Sequence, residues 1–239
     1  MSQEVFIQDG LIVADEILPP PTFKSLWREV SHGDYKSVHA QRWDKAWRLW
    51  DGNPLRGEAV YFDPKGAFGW KGSTYPTSTA VDALIDAVRR ISGERPEVVG
   101  VEGKDWIALF LSPWLYPVGS GLALHQDAQR YSGSFTFFTH PRWGVHWGGE
   151  LLVASARSAI TTSAGSAQAS SLTSFNDEAW EFEVSDENCD DVGIGVCVAP
   201  KPNRMALIGP DRPHRVTRVD QNAGTNVRAS IAGFFLRSP

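Results

Sequence analysis

Two histidines, an aspartate and an arginine carry the chemistry this sequence offers. His125 and Asp127 form a His-x-Asp pair in "GLALHQD", at the end of an apolar run. A strand end is a costly place for an imidazole and a carboxylate unless each is paired, with the other, with backbone or with a metal ion. Two residues apart on an extended strand point to the same side of a sheet, so both side chains can converge on one point. His214 opens another apolar run after a Pro-Asp-Arg-Pro turn. If its strand neighbours the first, two imidazoles and one carboxylate share a face of an octahedron and leave three positions open. That donor set suits non-haem Fe(II) oxygen chemistry. Zinc is more often held by thiolates or by three histidines with one open position. Neither Cys189 nor Cys197 lies near these runs in sequence.

Arg228 follows His214 in "NVRASIAGFF", with Ser230 two positions on and therefore on the same strand face. A guanidinium inside an apolar strand keeps its charge and needs a partner. Its natural complement is a carboxylate taken bidentately, with a hydroxyl adding a further donor. No acidic residue alternates onto a neighbouring predicted strand, which leaves a ligand as the partner.

The elements that must position these groups are strands. From about residue 105, short β-type runs such as "WIALFLSPWLYP", "SFTFFTH", "GELLVAS", "WEFEV", "GIGVCVAP" and "NRMALIGP" are punctuated by Gly, Pro, Asn and Asp. The pattern is that of an antiparallel sandwich or barrel with helices ahead of it, a mainly β (α+β) protein. Before it, "EVFIQDGLIVA" reads as two strands around Asp9-Gly10. "TFKSLWREVSHG" reads as a helix capped by Thr22 and stopped by Gly33. "STAVDALIDAVRRISG" is the clearest helix, with Val81, Leu84, Ile85, Val88 and Ile91 in one stripe and arginines toward its C-terminal turn. Trp43, Trp47 and Trp50 are spaced for one helix face, either packing or an aromatic wall over a substrate. The Ser/Ala/Thr-rich stretch 155–176 reads as a surface insertion.

Bulk properties narrow the partners. A chain of 239 residues can bury one sizeable core, and a net charge of −5 offers no field for a phosphate backbone. Nucleic acid and membrane are therefore not expected, and two spare thiols suit a reducing cytoplasm, although Cys189 and Cys197 could pair locally.

The ordered set "YPVGSGLALHQD…SFTFFTHPRWGVHWGGELL…NRMALIGPDRPHRVTRV…VRASIAGFF" resembles the Fe(II)/2-oxoglutarate-dependent dioxygenases, most closely their prolyl-4-hydroxylase-like branch. The resemblance covers about residues 106–236. It implies a double-stranded β-helix (jelly-roll, cupin-like) core preceded by N-terminal helices, within one domain over 1–239. Residues 1–104 would supply N-terminal strands and supporting helices, and 105–237 the catalytic core with its insertion. By the same resemblance His125, Asp127 and His214 are the catalytic metal ligands, and Arg228 with Ser230 binds the distal carboxylate of 2-oxoglutarate. Gly148 and Gly149 allow a tight turn, and Trp143 packs the turn before it. Where many relatives have a cosubstrate-binding tyrosine this chain has Phe137-Phe138, so Tyr116, Tyr131 or Thr136 must substitute. Arg218 is a rival for Arg228.

The implied reaction consumes O2 and 2-oxoglutarate, yields succinate and CO2, and hydroxylates an unactivated C–H bond. A carboxylate at Asp127, where related halogenases have a small residue, favours hydroxylation. Compactness points to a small substrate, an amino acid or related natural product, free or bound to a carrier protein. Peptidyl prolyl hydroxylation is the alternative within the class, and a non-catalytic carboxylate-binding jelly roll the alternative outside it. A zinc hydrolase lacks an evident glutamate base. Arg48, Trp50, Arg130 and Arg142 are candidate substrate contacts. Arg215 is read as rim, His140 and His146 as turn or supporting residues, and His32 and His39 as surface.

Overall fold

The computed structural model describes residues 3–8, 10–38, 51–155 and 195–238. A hairpin of β1 (Gln3–Gln8) and β2 (Leu11–Asp15) leads into helix α1 (Pro20–His32). Short strands β3 (Tyr35–Ser37), β4 (Leu55–Gly57), β5 (Val60–Phe62) and β6 (Ser73–Thr74) precede α2 (Ala80–Glu94) and α3 (Pro96–Val99). The long strands follow: β7 (Ala108–Tyr116), β8 (Leu122–His125), β9 (Tyr131–Phe138) and β10 (Leu151–Ala154). The last are β11 (Gly195–Val198), β12 (Met205–Ile208), β13 (His214–Val216) and β14 (Arg228–Leu236).

Among the described residues these strands make two sheets. The larger runs β1-β2-β12-β9-β14-β7-β4-β3, with β5 and β6 attached at β7; the smaller runs β11-β10-β13-β8. Period-two alternation gives the large sheet two apolar faces. Its outer face, including Ile12, Leu109, Phe135, Leu207 and Ile231, packs with Leu26 and Val30 of α1 and the α2 stripe. Its inner face meets the small sheet in two clusters. Phe110, Trp114, Tyr116, Tyr131 and Phe234 pack with Leu122 and Val216; Val13, Phe138 and Ile208 pack with Leu151 and Val153. This is the antiparallel jelly roll that the strand pattern and the motif resemblance predict, and the two facing sheets enclose the residues of interest.

The helices differ from the sequence reading in detail. The first helix begins at Pro20, not after Thr22, and Pro19 at its N-cap makes no side-chain bond. Proline's fixed φ already suits the first helical turn, so no hydroxyl cap is required. All five stripe residues of α2 are buried, but the helix runs on to Glu94. Its arginines therefore lie short of the final turn and form ion pairs instead, Arg89 with Glu102 and Arg90 with Glu94. No helix among the described residues is long and apolar enough to cross a membrane. Trp43, Trp47, Arg48, Trp50, His39, Cys189, the run "WEFEV" and the insertion over 156–176 lie outside the described residues; Cys197 is an exposed free thiol.

Candidate metal centre

His125 closes β8 and His214 opens β13, and the two are direct partners in the ladder between these strands. Alternation alone does not produce this pairing. The ladder shifts register between His214 and Val216, so that Val216 faces Leu122, and the irregularity brings the imidazoles together with ring centroids 4.3 Å apart. Asp127 is not on the strand, as the sequence reading had it, but two residues beyond its end. It reaches the same point nonetheless: Oδ1 lies 3.9 Å from Nε2 of each histidine. One ligand atom from each of the three residues falls within 4.8 Å of the others.

The bonding behind this triad orients it. Nδ1–H of His125 donates to the Ala123 carbonyl at 2.9 Å, and that of His214 to the Arg212 carbonyl at 2.8 Å. Both rings are thereby held in the tautomer whose Nε2 lone pair faces Asp127, the arrangement a metal ligand requires. Burial, reinforced by the neighbouring His214, pushes the His125 pKa well below its ordinary value and keeps that ring neutral. The Asp127 Oδ1 atom is buried and accepts no hydrogen bond. An acceptor stranded beside two lone pairs has no mutual solution among protein donors, whereas a divalent cation satisfies all three. The donor set therefore fits a metal ion of the Fe(II) kind.

Arg228, 1% exposed, starts β14 on the inner face of the large sheet. Nε donates to the Gly149 carbonyl at 2.7 Å and Nη1 to Ser230 Oγ at 3.1 Å. The rings of Tyr116 and Phe138 cover the guanidinium from 5.1 and 5.0 Å. Burial lowers its pKa to about 10, which leaves it charged at neutral pH. Nη2 is buried and has no hydrogen-bond acceptor, so one prong of the fork is left for a ligand. Gly149 makes this possible. It has φ +74°, and a Cβ there would stand 2.8 Å from Arg228 Cδ. Its predecessor Gly148, at φ +68°, passes so close to the Arg218 carbonyl that a Cβ would overlap it, and accepts the Trp143 indole hydrogen at 2.8 Å. Arg218, the rival on sequence grounds, is exposed.

The remaining expected residues separate. Tyr116 stands beside Arg228; Tyr131 instead lies with Arg130, whose guanidinium is 5.0 Å from its ring. Tyr131 reaches the inner face because a bulge between Phe235 and Leu236 of β14 offsets the ladder with β9 by one residue. Arg142 is exposed, 6.0 Å from the Trp147 ring, and Arg215, His146 and His32 are exposed too. Thr136 is half-buried on the inner face of β9. Sequence reasoning missed Arg56 altogether, since nothing about "LRG" marks it.

His140, read from sequence as a turn or supporting residue, is 1% exposed. Nε2 bonds the Pro200 carbonyl at 2.8 Å and Nδ1 receives the Ala229 amide hydrogen at 3.3 Å, next to Arg228. Burial lowers its pKa to about 4, with Arg228 adding to the effect. Because the folded pKa lies below the unfolded value near 6.5, its contribution to stability is complete above pH 6.5 and lost as pH falls through 4. Linkage puts the loss at about 3 kcal/mol. Urea titrations at pH 7 and pH 4 should show the parent losing that much more than His140→Gln; parallel losses would refute the assignment.

No protein-family model matches the sequence, and no curated protein matches it either. Solved structures do match. A prolyl-4-hydroxylase of Pseudomonas putida superposes with a TM-score of 0.59 at 16% identity, covering 96% of this chain and 94% of that one. A prolyl hydroxylase of Trichoplax adhaerens, in complex with a hypoxia inducible factor peptide fragment, gives 0.58 at 14%, covering 96% and 84%. The epimerase SnoN, in complex with Fe3+, alpha ketoglutarate and nogalamycin RO, gives 0.55 at 11%, covering 96% and 79%. The strand order, the facing sheets and these superpositions agree: the chain has the fold of the 2-oxoglutarate/Fe(II) oxygenases, in its prolyl-4-hydroxylase-like form.

Proposed function

We propose that the protein is an Fe(II)/2-oxoglutarate-dependent dioxygenase that hydroxylates a C–H bond of a small substrate, an amino acid or related natural product, free or carrier-bound. The observation that carries this is a pair of unmet buried groups, the Asp127 Oδ1 acceptor between two histidine lone pairs and the Arg228 Nη2 donor. One calls for a cation and the other for an anion.

In this reading His125, Asp127 and His214 hold Fe(II), whose part with O2 and 2-oxoglutarate is to supply the oxidant for C–H hydroxylation. Asp127 provides the only negative charge of the triad, and the two backbone-anchored imidazoles stay neutral. Arg228 takes the distal carboxylate of 2-oxoglutarate, with Ser230 Oγ fixing Nη1 and the Gly149 carbonyl fixing Nε. Tyr116 and Phe138 exclude water from that pair, which strengthens it. The likeness to oxygenases bearing iron, alpha ketoglutarate or a peptide fragment supports the class.

Anaerobic visible absorbance tests this directly. Adding Fe(II) and then 2-oxoglutarate should produce a weak charge-transfer band that needs both. A folded protein that gives no band is not a 2-oxoglutarate oxygenase. Given the band, succinate formation provoked by proline-containing peptides and by no free amino acid would select the peptidyl reading. The likeness to a hydroxylase holding a peptide fragment favours that second reading.

A further inference from the structure

The inner face of the large sheet is not evenly filled. β9 and β14 lie at its centre and are buried at every position but one each, Thr136 and Ala232. These two are direct partners in the ladder, and Ser112 of β7 pairs with Ala232 on the other side. Three short side chains thus lie in a row across three strands. Bulky rows flank it, with Phe138 and Trp114 on the Arg228 side and Phe110 and Phe234 on the other. A row of small residues between aromatic rows, reached by solvent at its middle, is a cavity floor. Four residues along β14 separate Ala232 from Arg228, about 13 Å of extended strand.

Arg56 stands at one end of this floor. β4 pairs with β7 so that Arg56 faces Trp114. Nε and Nη2 both donate to Ser112 Oγ at 3.3 Å, and the guanidinium lies 6.0 Å from the Trp114 ring centre. Its charge acts on Tyr61 and Tyr131. Tyr131 in turn senses Arg130 and Asp127. Two guanidinium groups therefore converge around a tyrosine that adjoins the candidate metal centre. A forked cation fixed on a neutral hydroxyl presents its donors to an anion entering the cavity.

We propose that the Thr136–Ala232–Ser112 floor is the substrate subsite and that Arg56 binds a carboxylate on the substrate, with Arg130 as the second cation at that end. The inference rests on the oxygenase reading and narrows its substrate to carboxylate-bearing molecules whose apolar part lies along Phe110 and Phe234. This carboxylate is distinct from that of 2-oxoglutarate, which Arg228 takes.

Benzoate and benzamide, alike in shape and different in charge, are suitable probes. Thermal midpoints are measured anaerobically with Fe(II), saturating 2-oxoglutarate and constant ionic strength. Benzoate should raise the midpoint saturably by about 2–4 °C, benzamide far less. Arg56→Gln should abolish the benzoate shift and keep 2-oxoglutarate affinity within about twofold of the parent, and Arg56→Lys should retain part of the shift. Equal shifts from both probes, no benzoate shift in the loaded parent, or a shift that survives Arg56→Gln would overturn the subsite. The benzoate–benzamide contrast in the parent decides the matter even if the variants fold poorly. Failure of 2-oxoglutarate itself to shift the parent is a separate outcome: it defeats the oxygenase reading, and the subsite falls with it.

Discussion

Arg228→Ala should weaken 2-oxoglutarate binding on the order of a hundredfold, corresponding to about 3 kcal/mol for a charge-assisted bond in a water-excluded site. The magnitude follows from the geometry: a guanidinium already anchored on Gly149 and Ser230 pays no ordering cost when the carboxylate arrives. Loss of fold is the obvious confounder, and a second substitution removes it. Arg228→Met replaces a buried charge with an apolar chain of similar length, a change that is often neutral or stabilising. Without cosubstrate it should unfold at or above the parent's temperature, yet show none of the stabilisation that 2-oxoglutarate gives the parent. Calorimetric titration measures the affinity and thermal melts the rest. A variant that binds 2-oxoglutarate as the parent does would remove Arg228 from the site.

Asp127→Asn should be more damaging to the metal centre than to the protein. The substitution keeps size and removes the one negative charge among the three candidate ligands. Partners that merely support metal ligands are worth roughly 10–100-fold in affinity, so losing a charged ligand should exceed that range. Equilibrium dialysis with Mn(II), which needs no anaerobic handling, reads the effect. The metal-free variant should melt no lower than the parent, because Oδ1 is a buried acceptor without a donor and its charge contributes no paired interaction. His214→Ala should likewise lose metal, but with a cavity between β13 and β8. Unchanged Mn(II) binding in Asp127→Asn would exclude the triad.

Much of this was legible in the sequence because it is written in residue types. Strand-like runs, the His-x-Asp pair, the distal histidine and Arg-x-Ser are visible without any knowledge of what faces what. The contacts that were not legible depend on register. The ladder irregularity that sets His125 against His214 and the bulge that turns Tyr131 inward are properties of two strands together. A single string of residues does not encode them locally. Arg56 was missed for the same reason: its meaning comes from Ser112 and Trp114, both on a different strand of the same sheet. The Gly149 carbonyl was missed because a backbone acceptor has no letter of its own.

The order of strands in the large sheet also bears on how the nascent chain is made. β14 lies between β7 and β9, whose residues end at 116 and 138, whereas β14 begins at residue 228. At the usual pace of translation the gap between the later partner and β14 lasts roughly 5–20 s. Through that interval β7, with its apolar "ALFLSPWLY", and β9 have no partner for the edges they will share with β14. Open apolar edges of this kind are what holdase chaperones capture and what drives misassembly at high expression. Slower synthesis does not shorten the exposure. Conditions that hold the emerging chain in a soluble, chaperone-bound state are the ones under which this sheet closes correctly.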